Sequence, residues 1–283
     1  MEKTIFQTVT VNRIELSASL VLPEVEMKGI ILYFHGGGLI FGDKDDLPIE
    51  YLELFSQAGY GIVSFDYPFA PESDIEIILK CAKEQIQWYF QEGVEKLSLQ
   101  DGISTFLMGR SAGSFLAAHL THEFKSKIKG YISFYGYYNL NDAHFTIPNH
   151  HYLKFGKVDE NQFKRLVNNI PTIADSNDAR YLIYLYARQT GRFQDLLVPQ
   201  GEKASDYSLK PADLKEFPAT FITAGEVDPD VPVRQSRLMA KYVPHSQLHI
   251  LEVNEHDFDR TQISGVGIPI YTKLVDWLNT LIK

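Results

Sequence analysis

The sequence predicts an α/β protein: a mostly parallel central sheet with helices on both faces and a helical insertion over one end. Three observations predict it. Short apolar runs alternate with helix-length amphipathic segments nearly to the end of the chain, which is the signature of repeated βα units. The apolar runs are continuous rather than alternating, as strands covered on both faces are. One long stretch, about Tyr137 to about Lys215, carries no strand signal.

In chain order, "IFQTVTV" (5–11) and "IELSASLVL" (14–22) alternate roughly every second residue and read as a half-buried antiparallel pair, the second ended by Pro23. "GIILYF" (29–34) is the first fully buried strand. The helix in "DDLPIEYLELFSQAG" (45–59) opens with acids suited to the positive end of a helix dipole and stops at Gly59. Strand "YGIVSFDYP" (60–68) leads into helix "SDIEIILKCAKEQIQWYFQEG" (73–93), for which Ser73 is the expected N-cap. Strand "ISTFLMG" (103–109), helix "AGSFLAAHLTHEF" (112–124) and strand "IKGYISFYG" (128–136) follow. After the strandless stretch come strand "ATFITAG" (219–225), helix "DVPVRQSRLMAKYV" (230–243), strand "QLHILEV" (247–253) and helix "IPIYTKLVDWLNTLIK" (268–283).

The strandless stretch is rich in tyrosine and phenylalanine. A structureless loop of that length does not suit a compact domain. Residues 137–215 are therefore expected to fold as a helical lid inserted into a single domain spanning residues 1–283.

Composition narrows the function. A net charge of −9 with no dense basic stretch argues against a nucleic-acid surface. The single cysteine, Cys81, excludes an intrachain disulfide framework and fits a reducing compartment. The N-terminal "MEKTIFQTVTVNRIEL" lacks the apolar core of a secretory signal, and no apolar run is long enough to span a bilayer. A cytoplasmic protein is the expectation.

In an open parallel sheet, function gathers at the carboxyl ends of the strands. "HGGG" (35–38), Ser111 of "GRSAG" (109–113), Asp228 and His256 all fall at such ends. Gly-x-Ser-x-Gly alone is a weak signal, arising by chance in roughly one chain in ten of this length. Its place between a buried strand and a helix is more specific. A tight strand-to-helix turn strains the serine backbone and demands small flanking residues, and Gly109 and Gly113 supply them. A serine hydroxyl is a poor nucleophile at neutral pH. It needs a base, and the base needs an orienting acid.

Asp228 and His256 are 28 positions apart, room for one helix and one strand that return the chain to the same sheet edge. Glu226 and Asp230 are rival acids; loop position favours Asp228. The glycine amides of Gly37 and Gly38, with the Ala112 amide after the nucleophile, are the candidate oxyanion donors. His35 reads as a brace for that loop. His119 with His122, and His144 with His150 and His151, read as solvated histidines rather than metal ligands. Asp66 and Glu72 read as loop-holding carboxylates.

Taken together, "YFHGGGLIFGD" (33–43), "FDYPFAPE" (65–72), "GRSAG" (109–113), "GEVDPDVP" (225–232) and "EHDF" (255–258) resemble the hormone-sensitive-lipase-like, HGGG-type carboxylesterase branch of the α/β-hydrolases. The stretches span most of the chain in that family's order. The resemblance implies an α/β-hydrolase fold and a serine esterase acting on small to medium acyl esters without metal or organic cofactor. It implies Ser111 as nucleophile, Asp228 as acid, His256 as base, and Gly37, Gly38 and Ala112 as the oxyanion hole. Members of the branch often dimerise, so a homodimer is one expected state.

Three departures stand out. Arg110 replaces the acidic residue common before the nucleophile, Pro68 replaces the arginine of the family's DYRLAPE motif, and no N-terminal cap is expected, because strands begin almost at residue 5. Arg110 is expected to pair with Glu72 or Asp66. Two other functions use the same residues: an arylformamidase or peptidase with the same triad, and a non-catalytic ligand-binding protein on the same fold.

Overall fold

Eight strands form one sheet in the order β1-β2-β4-β3-β5-β6-β7-β8. The computed structural model describes residues 2–173 and 179–282, so residues 174–178 of the expected insertion lie outside the described residues. β1 (Lys3–Val11) and β2 (Ile14–Val21) form the antiparallel pair, and β2 also runs antiparallel to β4. From β3 (Gly29–Phe34) and β4 (Tyr60–Phe65) to β8 (Ser246–Leu251) the remaining neighbours pair in parallel. β5 is Ser104–Arg110, β6 is Gly130–Phe134 and β7 is Ala219–Gly225. The strands read as continuous apolar runs are the buried ones: every residue of β3, β4 and β6 is buried.

The two faces of the sheet carry separate apolar cores. One packs Leu32 and Leu107 against the helices Ile75–Trp88 and Ala112–Glu123 and against the 137–215 segment. The other packs Ile31 and Met108 against the helices Ile49–Ala58 and Ile268–Leu281. Among the described residues, the chain between β6 and β7 holds helices and loops and no strand. Its longest helix is Ala179–Thr190.

Two local expectations are corrected. The helix after β3 begins at Ile49, with Glu50 as its first-turn acid. Asp45 and Asp46 precede it and are drawn off by side chains, Asp45 by Lys3 and Ser19, Asp46 by Tyr33. The next helix is capped by Asp74, which accepts from the Ile77 N–H, and not by Ser73. Either residue type can cap; the carboxylate adds favourable charge at the helix dipole.

β4 and β5 both flank β3, and the helices that follow β3 and β5 pack on opposite faces of the sheet. That divergence opens a crevice at the carboxyl ends of β3 and β5. The register sets Phe34 beside Gly109, which brings the loop after β3 alongside the turn after β5.

Candidate active site

The turn after β5 is built for a serine held under strain. Ser111 has φ 52° and ψ −121°, a left-handed backbone that L-residues avoid at a cost of about 1–3 kcal/mol. Side chains have no room on either side. A Cβ on Gly113 would lie 2.1 Å from the Phe34 carbonyl oxygen, and one on Gly109 would lie 2.2 Å from the Gly113 carbonyl carbon. The turn is tied down by Ser111 N–H donating to the Phe134 carbonyl at 2.9 Å.

Two other loops meet this serine. His256 follows β8, and its Nε2 lies 2.7 Å from Ser111 Oγ. Its Nδ1 lies 2.7 Å from Asp228 Oδ2, in the loop after β7. With the proton on Nδ1, the ring donates to Asp228 and accepts from the serine hydroxyl. Asp228 is oriented in turn, because its Oδ1 accepts the Asp230 and Val231 N–H groups at 2.8 and 2.9 Å. Burial works to lower the His256 pKa, but Asp228 above all, then Asp230 and Asp257, outweigh it and push the pKa up to about 9. Of the rival acids, Glu226 turns to Arg237 at 3.6 Å. Asp230 approaches the other ring nitrogen, with Oδ2 3.7 Å from Nε2.

The HGGG loop is held from behind. The buried His35 ring stacks on Tyr67 with centroids 4.3 Å apart, and its Nδ1 lies 2.8 Å from the Gly36 carbonyl. The Tyr67 hydroxyl reaches the His35 and Gly36 carbonyls at 2.8 and 2.9 Å. Burial holds the His35 pKa below its ordinary value, so the ring is a neutral brace. With these carbonyls turned back, the Gly37 and Gly38 N–H groups have no acceptor among the described residues. Ala112 opens the following helix, where a first-turn amide has no intrahelical acceptor.

Arg110 is buried, 2% exposed, but its partners differ from those expected. It binds Asp259 at 2.8 Å, Asp46 at 3.3 Å and the Tyr135 hydroxyl at 2.7 Å. Glu72 instead pairs with Arg180 of the 137–215 segment at 2.7 Å, and Asp66 with Lys44 at 3.1 Å. The physical reason is direction. Arg110 lies on the face of β5 that meets the His256 loop, whereas Asp66 and Glu72 follow β4 and are taken by Lys44 and Arg180.

A cavity of about 550 Å³ opens over Ser111 and His256, walled by Gly36–Gly38, Phe41, Tyr152, Tyr181 and Tyr184. Tyr135, Asp230 and Arg110 also line it. The sequence reading missed Tyr135, Arg188 and Asp259 as parts of this site, and left open which aromatics of the 137–215 segment, Tyr184 among them, wall the cavity. Tyr135 had a legible signal, its place at the carboxyl end of β6; Arg188 and Asp259 pair with residues 42 and 149 positions away, and nothing local marks them. Among the described residues, no group of three or more histidine, cysteine or carboxylate side chains is arranged to hold a metal ion. Nor is any helix there long and apolar enough to cross a membrane.

Comparison with known proteins agrees with this architecture. A protein of unknown function from Staphylococcus aureus is 30% identical, with TM-score 0.88 over 99% of this chain and 100% of its own. An α/β-hydrolase superfamily protein from Enterococcus faecalis is 29% identical, with TM-score 0.84 over 98% of each chain. The thermophilic carboxylesterase EstE1, cloned from a metagenomic library, shares the fold at 19% identity, with TM-score 0.72 over 100% of this chain and 90% of its own. The chain spans only 12% of a curated relative, a non-reducing polyketide synthase of Aspergillus calidoustus, which is 24% identical over 87% of this chain. The family profile for the α/β hydrolase fold matches residues 31–243. With that match, the sheet order and the serine turn together, the chain belongs to the α/β-hydrolase fold family, and its HGGG and GRSAG motifs set it with the hormone-sensitive-lipase-like branch.

Proposed function

We propose that this hydrolase is a carboxylesterase that cleaves small to medium acyl esters through an acyl-enzyme. One observation carries the reading: Ser111 Oγ, His256 and Asp228 are joined by two 2.7 Å contacts beside two glycine amides that have no acceptor among the described residues. Ser111 attacks the ester carbonyl as His256 Nε2 takes its proton. The oxyanion is met by the amides of Gly37, Gly38 and Ala112, each such donor being worth about 3 kcal/mol of barrier. His256 then hands the proton to the departing alcohol. Water, activated by the same nitrogen, releases the acid and restores the serine. The 137–215 segment acts as the lid, with Tyr152, Tyr181 and Tyr184 forming the wall opposite the serine.

A fluorophosphonate probe tests the reading. The folded wild-type chain should label and Ser111→Ala should not, with turnover of p-nitrophenyl esters lost in parallel. A folded wild-type chain inert to the probe would overturn it. The aromatic wall, where Phe41 meets Tyr181 and Tyr184 edge-on at 5.5 and 5.6 Å, favours one second reading: an aryl leaving group, as in arylformamide hydrolysis. An arylformamide turned over faster than p-nitrophenyl acetate would favour it.

A further inference from the structure

The mechanism above makes no use of the Asp230 side chain. Its main-chain N–H already serves Asp228; the carboxylate does something separate. It is buried, lines the cavity, and lies 3.7 Å from Nε2 of His256, the nitrogen that faces Ser111 at 2.7 Å. The helix Ala179–Thr190 braces it from behind. The Tyr184 hydroxyl lies 2.7 and 2.6 Å from its two oxygens. One turn on, Arg188 sits 3.2 Å from Oδ1 and donates through Nη2 to the Asp230 carbonyl at 2.9 Å. Arg188 is itself buried among Phe145, Tyr152 and Phe193.

We propose that Asp230 is a positioning residue for His256: a second carboxylate, held by Tyr184 and Arg188 of the 137–215 segment, that competes with Ser111 for the Nε2 proton and so sets the pH at which the imidazole becomes a free base. The inference rests on His256 being the base. The groups facing the ring are Asp228 and Asp230 from the loop after β7, Asp257 from its own loop, the Tyr135 ring from the end of β6 at 4.7 Å, and Ser111. Glu255 and Arg260 line the same cavity. Of these carboxylates, only Asp230 is paired with a cation of the segment among the described residues. Burial works to raise the Asp230 pKa, but Arg188, His256 and the Tyr184 and Tyr152 hydroxyls outweigh it, and the group stays ionised. The charge on Nε2 therefore depends on how the segment shares Asp230.

The test reads the ring directly, by NMR titration of histidine-labelled protein, with His256 identified by its loss in His256→Gln. Asp230→Asn should lower the His256 midpoint by about one pH unit or more, the size expected for a charge this close in a partly buried site. The acid limb of kcat/KM should move with it. Tyr184→Phe keeps the shape but removes the hydroxyl that spreads the Asp230 charge, so the midpoint should rise. Opposed shifts are what a purely structural role would not produce. If Asp230→Asn fails to fold, the rise in Tyr184→Phe carries the test. An unmoved midpoint in both variants, or shifts of the same sign, would overturn the proposal. Opposed shifts in a chain that no fluorophosphonate labels would uphold it and overturn only the esterase reading.

Discussion

Two of the buried arginines, Arg110 next to the serine and Arg188 behind Asp230, are built into the molecule differently. Arg110, on the sheet side, joins β5 to the loop after β3, the end of β6 and the His256 loop through Asp46, Tyr135 and Asp259. Asp259 is shared again with the hydroxyls of Tyr135 and Tyr271, at 2.7 and 2.9 Å. Arg188, on the segment side, has one carboxylate among the described residues, Asp230; it also donates to the Asp230 and His144 main-chain carbonyls and lies against aromatic faces. The difference separates two jobs. The sheet-side network is closed on itself and fixes where the His256 loop sits. The segment-side pair leaves its carboxylate within reach of the ring and can alter what the ring does.

Breaking the closed network should have the largest effect. Arg110→Met leaves Asp259, which is fully buried, with hydroxyls and no cation. Losing one partner of a buried pair typically costs about 3–5 kcal/mol, and urea unfolding should show a loss of that size. Arg188→Met should cost less, about 1–3 kcal/mol, because His256 beside Asp230 can take over as counter-charge. Equal losses would abolish the distinction between the two sides.

The second effect is on pH. His256 has its pKa pushed up to about 9, so the free base grows as pH rises. Between pH 7 and 9, kcat/KM should climb by about 50-fold, since it reports the free enzyme's ionisation. Stability moves the other way. A raised pKa in the folded state gives stability that is fully present below about 6.5 and lost as pH rises through about 9. Rate and unfolding free energy should therefore trend in opposite directions across that window, and a rate profile flat over it would contradict the electrostatics of the site.

A third effect probes the contact between the two sides. Gly38 has φ +65°, and a Cβ there would lie 2.3 Å from the Tyr184 ring. Gly38→Ala should lower turnover by about tenfold, from backbone strain of about 1–2 kcal/mol and the displaced ring. In a double-mutant cycle with Tyr184→Ala the losses should be less than additive, because the smaller side chain removes the clash. Strict additivity would mean that Tyr184 does not press on the HGGG loop.

What could be read from the sequence follows the same division. The sheet strands announce themselves because burial on both faces forces unbroken apolar runs such as "GIILYF" and "ATFITAG". The serine turn was legible because sterics there admit only small residues at Gly109 and Gly113. Ser111, Asp228 and His256 could be brought together on paper because each sits just past a strand whose end the topology fixes. The arginine pairings could not. Arg110, Arg180 and Arg188 each reach carboxylates far away in sequence, and which carboxylate each meets depends on side-chain direction at the crevice, not on local pattern. Glu72 illustrates it: read as the partner of Arg110, it belongs to Arg180, a residue inside a segment with no strand to anchor a prediction.

The smallest predicted effect concerns that same pair. Glu72 is buried and binds Arg180 through both oxygens, at 3.0 and 2.7 Å, while also accepting the Asn168 N–H at 2.9 Å. Glu72→Gln keeps the shape and one acceptor oxygen. Arg180 loses its counter-charge but keeps the Ile40 and Ala70 carbonyls, each at 2.7 Å, so its N–H groups stay hydrogen-bonded. The expected loss is about 1–2 kcal/mol, that of a hydrogen bond to a charged group rather than of a broken buried pair. It should fall on the segment and not on the sheet. Limited proteolysis should then cut within 137–215 sooner, through local opening, while the global urea midpoint moves little. A global loss as large as that of Arg110→Met would instead make the segment as integral to the fold as the strands beneath it.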